Sequence, residues 1–146
     1  MAITKLLAQN GGLRTFAVIL ETGEEAMQAL KTFADKEGMS AAHLSAIGAF
    51  SHGTISYFEW DAKAYREIPV KEQVEVASLS GDIALAPDGR PAVHVHVVLG
   101  RRDGSALAGH LLKGYVRPTL EIIVTETPAH LHKRFDPASG LALIRS

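Results

Sequence analysis

Pro91-Ala-Val-His-Val-His-Val-Val-Leu-Gly100, then Arg101-Arg-Asp-Gly104, then Ser105-Ala-Leu-Ala-Gly-His-Leu-Leu112 is the stretch on which the reading of this chain turns. Two apolar, β-branched runs flank a short glycine-bounded loop, the pattern of a β-hairpin. Side chains on a strand alternate between faces. His94 and His96 therefore point one way and Val93, Val95 and Val97 the other. A tight turn at Gly100–Gly104 would bring His110 back beside them, provided the register does not slip by one residue, which would turn His110 to the opposite face.

Outward from this hairpin, strands prevail. Arg14–Leu20 reads as a buried strand, with turn residues Gly11-Gly12 before it. A helix follows: Thr22 fits the N-cap and Glu25 a capping box. Ala26, Met27, Leu30, Phe33 and Ala34 recur at helical spacing, and Gly38 stands where a terminating glycine belongs. Beyond it, Ala41–Gly48 and Thr54–Trp60 read as two strands separated by Ala49-Phe-Ser-His-Gly53. Tyr65–Pro69 and Gln73–Leu85 follow, with Gly81 marking a bulge or a close backbone approach. Pro87-Asp-Gly89 is a turn. Ser105–Leu112 and Thr119–Thr127 read as separate strands, and Leu141–Ile144 as a last one in a loop-like tail. The expected class is α+β: a largely antiparallel β-sheet with one main helix between the first two strands. One domain is expected over residues 1–146, with a core at about 14–127 and a tail at 128–146.

Composition narrows the function classes. With 146 residues, 47% hydrophobic and 21% charged, the chain can bury a core of its own. It has no cysteine, which excludes disulfides, thiolate metal sites and cysteine nucleophiles. Fifteen Lys and Arg against sixteen Asp and Glu give a net charge of −1, which disfavours DNA binding by bulk charge. No apolar run reaches the roughly 18 residues of a spanning helix. The start does not read as a signal peptide, so no membrane is expected and the expected compartment is the cytoplasm.

Three imidazoles on neighbouring strands can present three nitrogens to one zinc ion at about 2.0–2.1 Å. His94, His96 and His110 are thus the candidate metal ligands, zinc the candidate ion, and Glu121 a candidate fourth ligand or outer partner. A general base, if the metal is catalytic, would come from Glu121, Asp82 or His52; no catalytic residue is assigned. His43, in an apolar strand, reads as a core or interface residue, and His52 as a turn residue. His130 and His132 form a second H-x-H in a basic tail. Ser78-Leu-Ser-Gly-Asp82 lacks a nucleophile elbow, and Gly48–Gly53 lacks the Lys-Ser/Thr of a phosphate loop. Gly89-Arg-Pro91 lacks the flanking basic residues of an AT-hook. A cupin would need a glutamate where Val97-Val-Leu-Gly100 stands. Phe50, Tyr57, Phe58 and Trp60 read as core rather than as a cleft lining.

Gly23-Glu-Glu with its helix, Ser45-Ala-Ile-Gly-Ala49, Glu75-Val-Ala-Ser-Leu-Ser-Gly81, His94-Val-His96 and Gly109-His-Leu-Leu-Lys-Gly114 leading to Glu121 together resemble the PPC (plants and prokaryotes conserved) domain family. The resemblance runs from about residue 14 to 127. It implies an α+β fold, assembly as a homotrimer, and a metal held in some prokaryotic members by the residues matching His94, His96 and His110. In plants the domain follows AT-hooks in DNA-binding proteins, where it mediates association with protein partners. This chain has no AT-hook, so the alternative, a protein-interaction or DNA-binding module, rests on the domain alone. The expectation is a trimeric metal-binding domain without an assigned activity.

Overall fold

Two glycines with positive φ (Gly11 at 56° and Gly12 at 85°) close a two-residue hairpin between β1 (Ile3–Asn10) and β2 (Leu13–Glu21). The computed structural model describes residues 1–145. β1 is exposed along its whole length and lacks a polar–apolar alternation, so it extends the sheet ahead of the strand expected at Arg14–Leu20.

The one helix among the described residues, α1 (Ala26–Glu37), comes after these two strands, behind that expected strand. It buries Met27, Leu30 and Phe33, the stripe expected from the spacing, against the sheet, with Phe33 edge-on to Phe16 at 5.3 Å. Gly38 ends it at φ 61°, where the left-handed conformation favours glycine, and Met39 N–H donates to Ala34 O at 3.0 Å. The start differs from expectation. Gly23 N–H donates to Val116 O and Val116 N–H to Glu24 O, which keeps residues 23–24 extended. Thr22 is therefore not the cap; its hydroxyl donates to Pro118 O instead. Glu25 caps the helix, its carboxylate accepting from Met27 N–H at 3.0 Å and Gln28 N–H at 2.8 Å. The same carboxylate accepts from Gly114 N–H at 3.0 Å. Replacing Glu25 with Ala strands three amides, and urea unfolding should show a loss of about 1–2 kcal/mol.

The remaining strands are β3 (Ala41–Glu59), β4 (Ala64–Val70), β5 (Val74–Leu85), β6 (Pro91–Gly100) and β7 (Ala106–Glu126), with a small hairpin of β8 (Lys133–Asp136) and β9 (Leu141–Ile144). All pairings between these strands are antiparallel. The pairs expected at Ala41–Gly48 with Thr54–Trp60 and at Ser105–Leu112 with Thr119–Thr127 are each one long strand, β3 and β7. These two pair with each other along most of their length. β3 also pairs with β5, β5 with β6 and β6 with β7, so the four close into a ring of pairings. Inside lie Phe50, Ile55, Leu79, Val97, Leu99 and Leu111, all buried.

The glycines that suggested a break in β3 serve this crossing. A Cβ on Gly48 would stand 2.2 Å from Thr119 O, and one on Gly53 2.5 Å from Lys113 O. Gly81 likewise marks a close approach, to β6, while the register shift in β5 falls between Val76 and Ser78. The tail is anchored: Leu85 N–H donates to Leu131 O at 2.7 Å and Leu131 N–H to Ser40 O at 3.3 Å. Among the described residues no helix is long and apolar enough to cross a membrane.

Candidate metal centre

The register of β6 on β7 places His96 directly opposite His110. Val95 and Val97 are buried while His96 is exposed, as the two-residue period requires. His94, two residues along, completes a cluster with ring centroids 4.9 Å (94–96), 5.1 Å (94–110) and 5.7 Å (96–110) apart. Each ring offers a nitrogen, and these lie within 4.8 Å of one another; no other such group occurs among the described residues. Nitrogens around tetrahedral zinc stand about 3.3 Å apart, given Zn–N distances of about 2.0–2.1 Å. His94 Nε2 and His96 Nε2 already stand at 3.1 Å. His110 Nδ1 is buried without a hydrogen-bond partner. Three imidazoles whose nitrogens converge within 4.8 Å, two of them at 3.1 Å, fit a zinc ion.

Asp82 on β5 stands opposite His94. With His94 Nε2 turned toward His96, its Nδ1 faces Asp82 Oδ2 at 3.9 Å, too long for a hydrogen bond yet placed as an outer partner that orients the ring. Lys133, from the tail hairpin, brings its ammonium to 3.8 Å from Asp82 Oδ1, which is buried and without a hydrogen bond. Burial pushes the Asp82 carboxyl up, but His94, Lys133 and His43 together hold it below its ordinary value. His43, expected in the core or an interface, is exposed and stands opposite Asp82 across β3–β5.

Burial, with the neighbouring His94, His96 and Lys133, pushes His110 down to about 4. Burial and His94 lower His96 too, against the opposing pull of Asp82. Both imidazoles are therefore neutral at pH 7, the form that ligates. In the metal-free protein His110 titrates at about 4, whereas an unfolded histidine titrates at about 6.5. Between those values the unfolded chain binds a proton that the folded chain rejects. Stability is thus full above about pH 6.5 and falls as the pH drops toward 4. Urea midpoints of the metal-free protein should decline across this window, and the decline should shrink in His110→Gln.

The other expected site residues lie elsewhere. Glu121 sits on the far half of β7, opposite Ile19 and Ile47, and does not reach the triad of its own chain. His52 stacks on Tyr115 at 4.4 Å and contacts Ser51 Oγ at 2.9 Å through Nδ1. The His130 and His132 rings are 6.4 Å apart and join no third ligand. Of the expected bases only Asp82 is beside the cluster. Of the aromatics, Phe50 is in the core whereas Tyr57 and Trp60 are largely exposed. Tyr65 lies against His110 at 5.0 Å. A cavity of about 390 Å³ opens beside the histidines, walled by Tyr65, Val93, Lys133, Leu141, Leu143 and Ile144. Tyr65, Lys133 and the β9 strand were not among the expected site residues. Lys133-Arg134 stood out only as a basic pair, and nothing local ties it to His94.

The family model of the Plants and Prokaryotes Conserved (PCC) domain matches residues 7–128. No curated protein matches the sequence. Among solved structures, a plant- and prokaryote-conserved (PPC) protein of Pyrococcus horikoshii is 33% identical with a TM-score of 0.84, covering 100% of this chain and 95% of its own. A metal-containing protein of Archaeoglobus fulgidus is 30% identical with a TM-score of 0.84, covering 100% of both chains. A candidate DNA-binding protein of Bacteroides thetaiotaomicron is 28% identical with a TM-score of 0.89, covering 99% of this chain and 97% of its own. A family match over residues 7–128, with solved relatives 33% and 30% identical over the whole chain, places this chain in the plants and prokaryotes conserved (PPC) domain family.

Proposed function

We propose that this PPC domain is a cytoplasmic metal-binding protein that works as a homotrimer and holds one zinc ion per chain through His94, His96 and His110. The observation that carries the reading is the 3.1 Å approach of His94 Nε2 to His96 Nε2, with His110 opposite in register. The metal content of the Archaeoglobus relative supports it. Three neutral imidazoles suit zinc and disfavour the oxygen-seeking magnesium and calcium. When bound, such an ion supplies Lewis acidity and lowers the pKa of a bound water to about 7. The chain's own residues do the rest: Asp82 orients His94, Lys133 balances Asp82, and Tyr65 with the tail shields one side. With its own Glu121 distant and Asp82 turned to His94 Nδ1, each chain provides three ligands and leaves a fourth position to a small molecule.

A second reading, DNA binding, is favoured by the Bacteroides relative. The charge opposes it: the net value is −1, Arg101 pairs with Glu72 at 3.0 Å, and Lys133 is held by Asp82. Native mass spectrometry during zinc titration tests the first reading: trimers with three zinc ions support it, and no uptake refutes it. Mobility shifts with duplex DNA at low salt test the second, and salt-sensitive retention would favour it.

A further inference from the structure

The cavity beside the triad combines features that select a ligand. One end is the histidine cluster. Lys133 enters from the tail hairpin, its side chain only 11% exposed. Val93, Leu141, Leu143 and Ile144 make an apolar wall, and Tyr65 closes another side. Asp82 is the carboxylate nearest the histidines, and it is already flanked by His94 and Lys133. With a divalent ion present, the charges at this end sum to a net positive value: two from the ion and one from Lys133, less one from Asp82. A positive pole facing an apolar wall fits an anion with a hydrophobic tail. A volume of about 390 Å³ admits an acid of a few carbons.

We propose that this cavity binds a small aliphatic carboxylic acid, its carboxylate directed to the metal-bearing end and Lys133, and its alkyl chain against Leu141, Leu143 and Ile144. The inference rests on the metal reading above. It assigns the C-terminal hairpin a part in ligand selection, because that hairpin supplies both the ammonium and most of the apolar wall.

Cobalt-loaded protein reports ligands at the open position through its visible absorption, independent of any activity. Isovalerate, acetate and isovaleramide are titrated in turn. Isovalerate should change the spectrum in a saturable way and bind at least about tenfold more tightly than acetate, since each methylene fully buried is worth about fourfold. The uncharged isovaleramide should bind at least about tenfold more weakly than isovalerate. Lys133→Met, read at saturating cobalt, should lose about tenfold in isovalerate affinity. Equal binding of acid and amide, or no response to any carboxylate from protein that holds cobalt, overturns the inference and leaves the metal reading standing. Failure of the parent to take up cobalt or zinc removes both. The acid–amide comparison uses the unaltered chain, so it decides the matter even if Lys133→Met loosens the hairpin.

Discussion

His96→Ala is expected to lower zinc affinity by about 10²–10³-fold while leaving the fold intact. Structural zinc sites release about 10–16 kcal/mol on binding, and one ligand's share of that is about 3–4 kcal/mol. His96 is exposed on β6, and its loss takes no side chain from the core built by Val95 and Val97. A competition titration against a chelating dye measures the affinity, and circular dichroism checks the fold. Asp82→Asn should cost less, about 10–100-fold, because it loosens His94 without removing a ligand. Glu121→Gln and His52→Ala should cost nothing, since both lie away from the triad. A His96→Ala protein that binds zinc as the parent does would contradict the account.

Gly81→Ala is expected to destabilise the protein by about 3 kcal/mol or more and to weaken zinc binding with it. A Cβ on Gly81 would stand 2.0 Å from His94 O and 2.8 Å from Val95 Cα. Both are backbone atoms in a paired strand, so no rotamer change relieves the clash, and β5 and β6 must spread. His94 rides on the segment that moves and stands opposite Asp82 in the same pairing. The test is urea unfolding of the metal-free variant beside its zinc titration. A variant as stable as the parent would show that β6 yields easily. Lost stability with parental zinc affinity would show that the spreading bypasses His94.

Much of this is legible in the sequence. Alternating valines and histidines fix the faces of β6, and a glycine-bounded loop fixes the return, so the triad followed from a period of two and one turn. The helix followed from its apolar stripe and Gly38. Other parts were hidden for identifiable reasons. Gly48 and Gly53 resemble turn residues, yet they let β3 cross β7 at backbone contact, so one strand read as two. β1 carries no alternation because it buries neither face. Glu121 alternates as a site residue would, but β7 is long enough to carry it away from the histidines. Lys133 and β9 reach the site only through tertiary contacts, including the bridge of His132 to Leu85, which no local pattern announces.

The most direct test of the central claim is elemental analysis of untagged protein purified without chelator, beside the His94→Ala/His96→Ala double variant. The account predicts about one zinc per chain in the parent and none in a double variant that still folds. A parent without zinc, even after exposure to excess, would contradict it.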